Sequence, residues 1–295
     1  VIWGSSFLLI KVGITEMHPL YVTFGRVATG ALVLLAVLAL VRDRLPRDPR
    51  LWGHLAVVGA VGTALPFTLF AYGEQRVSSI LAGIWNATTP LVALPMAVLV
   101  FRTERMTSRR VVGLVLGFIG VLTLLGVWRG VGGAEFTGQA MCFGAALCYG
   151  LAVSYQKRFV AGSRESGLAL TAVQLTMSTV QLAIAAPLIA GAPPAPTALS
   201  GEVIASVLVL GVVGTGFAFV INLRNVRLVG ASAASMVTYL MPVVAVAVGM
   251  LVLGERLTWY QPVGALIVLV GVAVSENLLA ARSARPAPRT PAAVG

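Results

Sequence analysis

Apolar and polar positions along this chain fall into long blocks. Predominantly apolar windows, bounded by charge or by Pro and Gly, lie at about 1–14, 20–41, 51–72, 79–101, 111–128, 138–156, 167–190, 203–222, 230–253 and 259–279. Most approach the roughly 20 residues an α-helix needs to cross a hydrocarbon core about 30 Å thick. The connections are short, so neighbouring helices are expected to run antiparallel, with no soluble domain between them. The first window is the exception. From Val1 to Thr15 a helix reaches only about 22 Å, which implies a truncated sequence or a GTG start read as Val. No cleavable signal peptide is visible.

The blocks also repeat. The segment from Gly62 to Val121 slides onto the segment from Gly214 to Val272. Gly62-Thr63 meets Gly214-Thr215, Phe67 meets Phe219, and Pro90 meets Pro242. After a one-residue gap, Glu104-Arg105-x-Thr107 meets Glu255-Arg256-x-Thr258, and Gly120-Val121 meets Gly271-Val272. A near-duplicated apolar unit is what a transporter built from two structural repeats requires. The predicted fold is therefore an all-α integral membrane protein, with ten transmembrane helices arranged as two inverted five-helix repeats. The repeats are placed at 1–128 and 138–279, followed by a disordered basic tail over 280–295.

Composition agrees: 58% of the 295 residues are hydrophobic and 11% charged, with mean hydropathy +0.94. A soluble domain so poor in charge could not wet its surface. The net charge of +11 does not point to nucleic acid, because the cations lie in short loops, where they set topology. Sixteen Lys and Arg fall on one side of the predicted spans, and three (Arg76, Arg129 and Arg256) on the other. That bias places both termini in the cytoplasm. It also makes the copies opposite in orientation, since five spans per repeat is an odd number. Cys142 and Cys148 share one apolar segment and read as small core residues, and no metal or cofactor is expected.

The motifs resemble the EamA branch of the drug/metabolite transporter superfamily. The first copy carries IWGSSFLLIKVGI, HPLYVTFGR, TTPL and TERMT-x-x-x-VVG. The second carries CYGLAVSYQKRF, MPVV and GERLT-x-x-x-PVG. The resemblance covers nearly the whole chain. It implies a ten-helix carrier of the bacterial cytoplasmic membrane, commonly an exporter of amino acids or other small metabolites. Expected partners are a small-molecule substrate and the lipid bilayer, with the protein a monomer or homodimer.

Candidate chemistry sits at few positions. Pro90 and Pro242 fall mid-span, and each removes the hydrogen bond to the carbonyl four residues back, at Asn86 and Thr238. A polar collar around a substrate path is one reading, with Trp85, Thr88, Thr89 and Tyr239 contributing; a structural kink whose carbonyl is satisfied locally is the other. Arg26 and its counterpart Gln174 suit a carboxylate or zwitterion if they line the path. Lys11 reads as an anchor reaching the outer headgroups. Trp3, Tyr149 and Tyr155 are further candidates for the lining. All ten acids lie near span ends or in loops, which argues against proton-coupled efflux of lipophilic cations. Glu74 and Glu276 are the nearest candidates for a proton relay, with interfacial solvation the favoured reading of both. Glu104 and Glu255 need partners, because a carboxylate at a helix C-terminus opposes the dipole; Thr107 and Thr258 are placed to cap the helices that follow. Gly113, Gly117 and Gly120 recur at helix-packing spacing. A membrane enzyme is disfavoured by the absence of any nucleophile–base or metal pattern. A channel or membrane-embedded sensor remains the alternative to a carrier.

Overall fold

The computed structural model describes residues 1–103, 105–129, 133–229 and 237–276. Every element among them is helical. In chain order they are α1 (Ile2–Gly13), α2 (Pro19–Leu40), α3 (Pro49–Glu74), α4 (Ser79–Val100), α5 (Ser108–Leu125), α6 (Gly133–Phe159), α7 (Gly167–Ala190), α8 (Gly201–Leu228), α9 (Val237–Leu253) and α10 (Tyr260–Ser275). The seven from α2 to α8 are long and apolar enough to cross a membrane; α1, α9 and α10 are shorter apolar helices. The start of the ninth predicted span and the basic tail lie outside the described residues.

Helix starts follow from local chemistry. Ser78, Thr107, Ser166 and Ser200 each accept a hydrogen bond from the exposed first-turn N–H groups of α4, α5, α7 and α8. Asp48 and His18 do the same for α3 and α2, ahead of Pro49 and Pro19, whose missing N–H costs nothing at that position. Thr258 does not cap α10. Its own N–H donates to Gln261 Oε1 at 3.0 Å, because the chain turns through Trp259 before the helix begins.

Corresponding helices pair across the molecule. In the α5–α10 contact, a Cβ on Gly113 would lie 2.6 Å from the Gly271 carbonyl oxygen, and one on Gly264 2.5 Å from the Leu124 nitrogen. Low residues of α5 meet high residues of α10, so the two run in opposite directions with their backbones nearly touching. Only glycine permits that approach. The α2–α7 pair is also antiparallel. The Tyr21 hydroxyl donates to the Gly191 carbonyl at one end, and the Ser166 hydroxyl donates to Asp43 at the other. Between those ties Val27, Leu34, Ala172 and Leu175 are fully buried. The first helix of each copy packs on the third and fourth of the other: α1 against α8 and α9, α6 against α3 and α4.

The outside is as apolar as the inside. Leu32, Phe118, Leu188, Leu251 and Leu266 are all more than half exposed. Water would penalise such a surface, whereas acyl chains accept it.

Candidate functional site

The centre of the bundle is built on two hydrogen bonds that mirror each other. On α2, Arg26 is 6% exposed, and its Nε donates to Thr215 Oγ1 at 3.0 Å. On α7, Gln174 is 9% exposed, and its Nε2 donates to Thr63 Oγ1 at 2.9 Å. Arg26 corresponds to Gln174 and Thr63 to Thr215, so one contact is the counterpart of the other. Both threonines are fully buried in π-helical turns, Ala60–Ala64 of α3 and Val212–Phe217 of α8. A π turn inserts one extra residue into the helix and leaves a carbonyl short of its usual partner. Thr215 Oγ1 meets that need by donating to the Leu210 carbonyl at 3.1 Å. Glycines let the helices close: a Cβ on Gly59 would lie 2.9 Å from the Gln174 carbonyl oxygen, and one on Gly211 2.7 Å from that of Arg26.

Aromatic rings surround this centre. The Arg26 guanidinium carbon lies 3.7 Å from the centroid of Phe67, a cation–π contact. Tyr149 packs against Phe67 and Phe70 at 6.4 and 6.1 Å between centroids. Trp3 packs against Phe219 at 5.9 Å, the matching contact in the other copy. Trp3 also lines a cavity of about 160 Å³ with Asn222, Asn225 and Met241. The two asparagines were not singled out in the sequence; their spacing of three on one helix face was the available signal. Tyr155 lies apart, bonded to His54 Nδ1 at 2.9 Å. Among the described residues the two Nη atoms of Arg26 make no hydrogen bond.

The break in α4 is a separate structure. The helix stops after Asn86 and restarts at Thr89. The carbonyl of Asn86, left without an amide donor by Pro90, accepts the Thr89 hydroxyl at 2.8 Å; the Trp85 carbonyl accepts the Thr88 hydroxyl at 2.7 Å. The kink is therefore satisfied locally, the second of the two readings of Pro90. Trp85 is fully buried and donates to Gln139 Oε1 at 3.2 Å. The Asn86 amide points to Met241 Sδ at 3.9 Å, one residue before Pro242 in an uninterrupted α9. The side chains of Thr238 and Tyr239 lie outside the described residues. Thus Arg26 and Gln174 make equivalent hydrogen bonds to the two π turns, while Trp85, Asn86 and Thr89 belong to the α4 break.

The charged groups near the helix ends correct two expectations and meet a third. Lys11 does not reach for the headgroups. Its Nζ donates to the carbonyl of Glu74, and to that of Val77 at 2.8 Å, which caps the negative end of the α3 dipole. Glu74 is not solvated: it is 0% exposed, and neither carboxyl oxygen has a hydrogen-bond partner among the described residues. Glu255 has its partner in the other copy. Its carboxylate accepts from Ser79 N at 2.8 Å, Ser79 Oγ at 2.9 Å and Ile80 N at 3.0 Å, holding the N-terminus of α4. Its counterpart Glu104 lies outside the described residues. Beyond these groups is a polar vestibule of about 490 Å³, lined by Lys11, Arg76, Glu135, Glu255, Arg256 and Gln261.

Comparison with known proteins identifies relatives of the whole chain. The profile of the EamA-like transporter family matches residues 1–126 and 136–276. An uncharacterized transporter of Archaeoglobus fulgidus is 25% identical over 275 residues, covering 92% of this chain and 93% of that one. The uncharacterized transporter YoaV of Bacillus subtilis is 27% identical, with 92% of each chain covered. An S-adenosylmethionine/S-adenosylhomocysteine transporter of Chlamydia trachomatis is 32% identical over 126 residues, 42% of this chain and 38% of its own length. One crystal structure superposes with a TM-score of 0.62 over 94% of this chain and 96% of its own, at 18% identity, a likeness of fold.

Proposed function

The chain belongs to the EamA-like transporter family, and from that premise we propose that it is a secondary carrier exporting a small zwitterionic or anionic metabolite by alternating access. It is a membrane transporter with several apolar helices. In the proposed reading ten helices cross the cytoplasmic membrane as two inverted five-helix repeats, with both termini in the cytoplasm. The antiparallel α5–α10 and α2–α7 pairs and the sixteen-to-three charge bias support that arrangement.

The observation that carries the substrate class is Arg26. Its Nε is held by Thr215 and its face rests on Phe67, which leaves both Nη atoms for a carboxylate. The corresponding Gln174 is neutral, so the centre carries one fixed positive charge where two copies meet. An amino acid or a related zwitterion fits that asymmetry. S-adenosylmethionine, named for a relative over part of the chain, carries such an amino-acid head and is a suitable probe.

The test is counterflow in liposomes preloaded with an unlabelled amino-acid mixture or with S-adenosylmethionine, followed by entry of the labelled compound. A carrier gives saturable exchange that depends on the internal load, and Arg26→Gln abolishes it. Flux that does not saturate overturns the carrier reading in favour of a channel.

A further inference from the structure

Glu74 ends α3 in sequence but lies inside the protein in space. Its side chain is 0% exposed, and both carboxyl oxygens lack a hydrogen bond. Burial without hydrogen bonds penalises an ionised carboxylate far more than a neutral carboxylic acid. The charged groups facing it are Lys11 from α1, Arg26 from α2 and Glu255 beyond the end of α9. From α6 it faces the Cys142 thiol, and the N-terminal turn of α4 presents only the hydroxyls of Ser78 and Ser79. Lys11 does not pair with the carboxyl group. It is spent on the backbone carbonyls of Glu74 and Val77. Glu74 also lies seven residues from Phe67 on the same helix face, about 10 Å along the axis from the ring beneath Arg26. Lys11 also lines the vestibule, so the same side chain touches the backbone of the buried acid and the water-filled side.

We propose that Glu74 is a proton-binding site: closing the outer end of the carrier takes up one proton on its carboxyl group, and opening that end returns the proton to the vestibule. This rests on the carrier reading above for its orientation. On opening, water enters beside Glu74, and the carboxylic acid transfers its proton to a water molecule. The products are a carboxylate and a hydronium ion, with no electron transfer. Lys11, already at the Glu74 backbone, then swings from the carbonyls to the new carboxylate. That swing uncaps the C-terminal turn of α3, loosening the end that must move. Glu255, by contrast, has both carboxyl oxygens engaged, accepting three hydrogen bonds. Coupling is reciprocal, so acid outside favours the closed outer end and alkali favours the open one.

Two measurements test the site. Infrared spectra of the wild-type protein in lipid at neutral pH are expected to contain the C=O stretch of a neutral carboxylic acid, which Glu74→Gln removes. Absence of that band in the wild type overturns the proposal without reference to any variant. The second measurement places a cysteine at Leu81, 2% exposed at the vestibule wall, in a chain lacking Cys142 and Cys148. Its labelling in cells by a membrane-impermeant maleimide, corrected for the pH response of a free thiol, should slow on acidification by up to about tenfold per pH unit, the limit for one linked proton. In Glu74→Gln, which mimics the neutral acid, labelling should be slow at every pH. Unchanged pH dependence in that variant refutes the site. Loss of counterflow in a wild type that keeps both signatures refutes the carrier reading and leaves the proton site standing.

Discussion

Replacing Glu255 by Gln should weaken the tie between the two copies by an amount the geometry allows to be worked out. The carboxylate accepts three hydrogen bonds at the start of α4, from Ser79 N, Ser79 Oγ and Ile80 N, at 2.8 to 3.0 Å. Gln keeps the shape but has one accepting oxygen, and its NH₂ group faces a backbone N–H. One amide partner can stay bonded, the Ser79 hydroxyl can rotate away, and the other N–H is stranded. A stranded buried donor costs about 1–3 kcal/mol. Loss of the negative charge at a helix N-terminus adds about 0.3–1 kcal/mol. The sum is about 1–4 kcal/mol. Thermal unfolding of Glu255→Gln, Ser79→Ala and the double variant in detergent would measure it. Ser79→Ala removes only the hydroxyl bond, so the single Gln change should cost the more of the two. A double-mutant cycle should return a clear coupling energy, because the residues touch. Additive costs within about 0.5 kcal/mol, or a Gln variant as stable as wild type, would refute the reasoning.

Three further outcomes follow from the geometry. Gly264→Val should open the α5–α10 contact, since even a Cβ would sit 2.5 Å from the Leu124 nitrogen; a cost of at least about 1–3 kcal/mol and a loss of monodisperse protein in size-exclusion chromatography are expected. Thr215→Val should preserve the fold's shape yet leave Arg26 Nε unbonded and free to rotate, raising the counterflow KM about tenfold or more, whereas the same change at Thr63 should affect KM less because Gln174 carries no charge. Asp43 is held below the ordinary carboxylate range first by the Ser166 hydroxyl and then by the Arg44 N–H. A depressed folded-state value means its contribution is present above the unfolded value and is lost as pH falls through the folded one. The loop between α2 and α3 should therefore exchange its amides faster only below about pH 4, and Asp43→Asn should remove that step.

Much of the scaffold was legible because it is written in blocks. Lipid-facing apolar runs are long, and charges interrupt them where the chain turns, so the windows fall close to the helices observed. The repeat aligns Arg26 with Gln174 and Thr63 with Thr215, but nothing in the residue pattern shows that the two pairs cross. That crossing depends on π turns, which arise from how glycine-lined backbones approach one another and leave no periodic signature. Lys11 and Glu74 were misread for one reason. Distance from the end of an apolar run measures depth along a helix and says nothing about what covers the helix sideways. Here the vestibule side of α3 is closed by α1 and by the chain beyond α9, so a terminal acid becomes the most enclosed one described. Pro90 is legible as a break, but the donor that satisfies it, the Thr89 hydroxyl of the same turn, follows only from the side-chain rotamer.

The α5–α10 contact has a consequence for how this chain could have arisen and drifted. Gly113 faces Gly271 while Gly120 faces Gly264, and these are counterparts crosswise. A half-length ancestor with this seam would need no partner but another copy of itself, inserted the other way up, and any seam mutation would strike twice at once. Fusing two copies into one chain removes that penalty. The position matching Gly117 now holds Val268, while Gly117 itself receives Leu91. Within one joined chain each half can change alone, and the arginine of α2 against the glutamine of α7 is a difference that two identical copies could not hold.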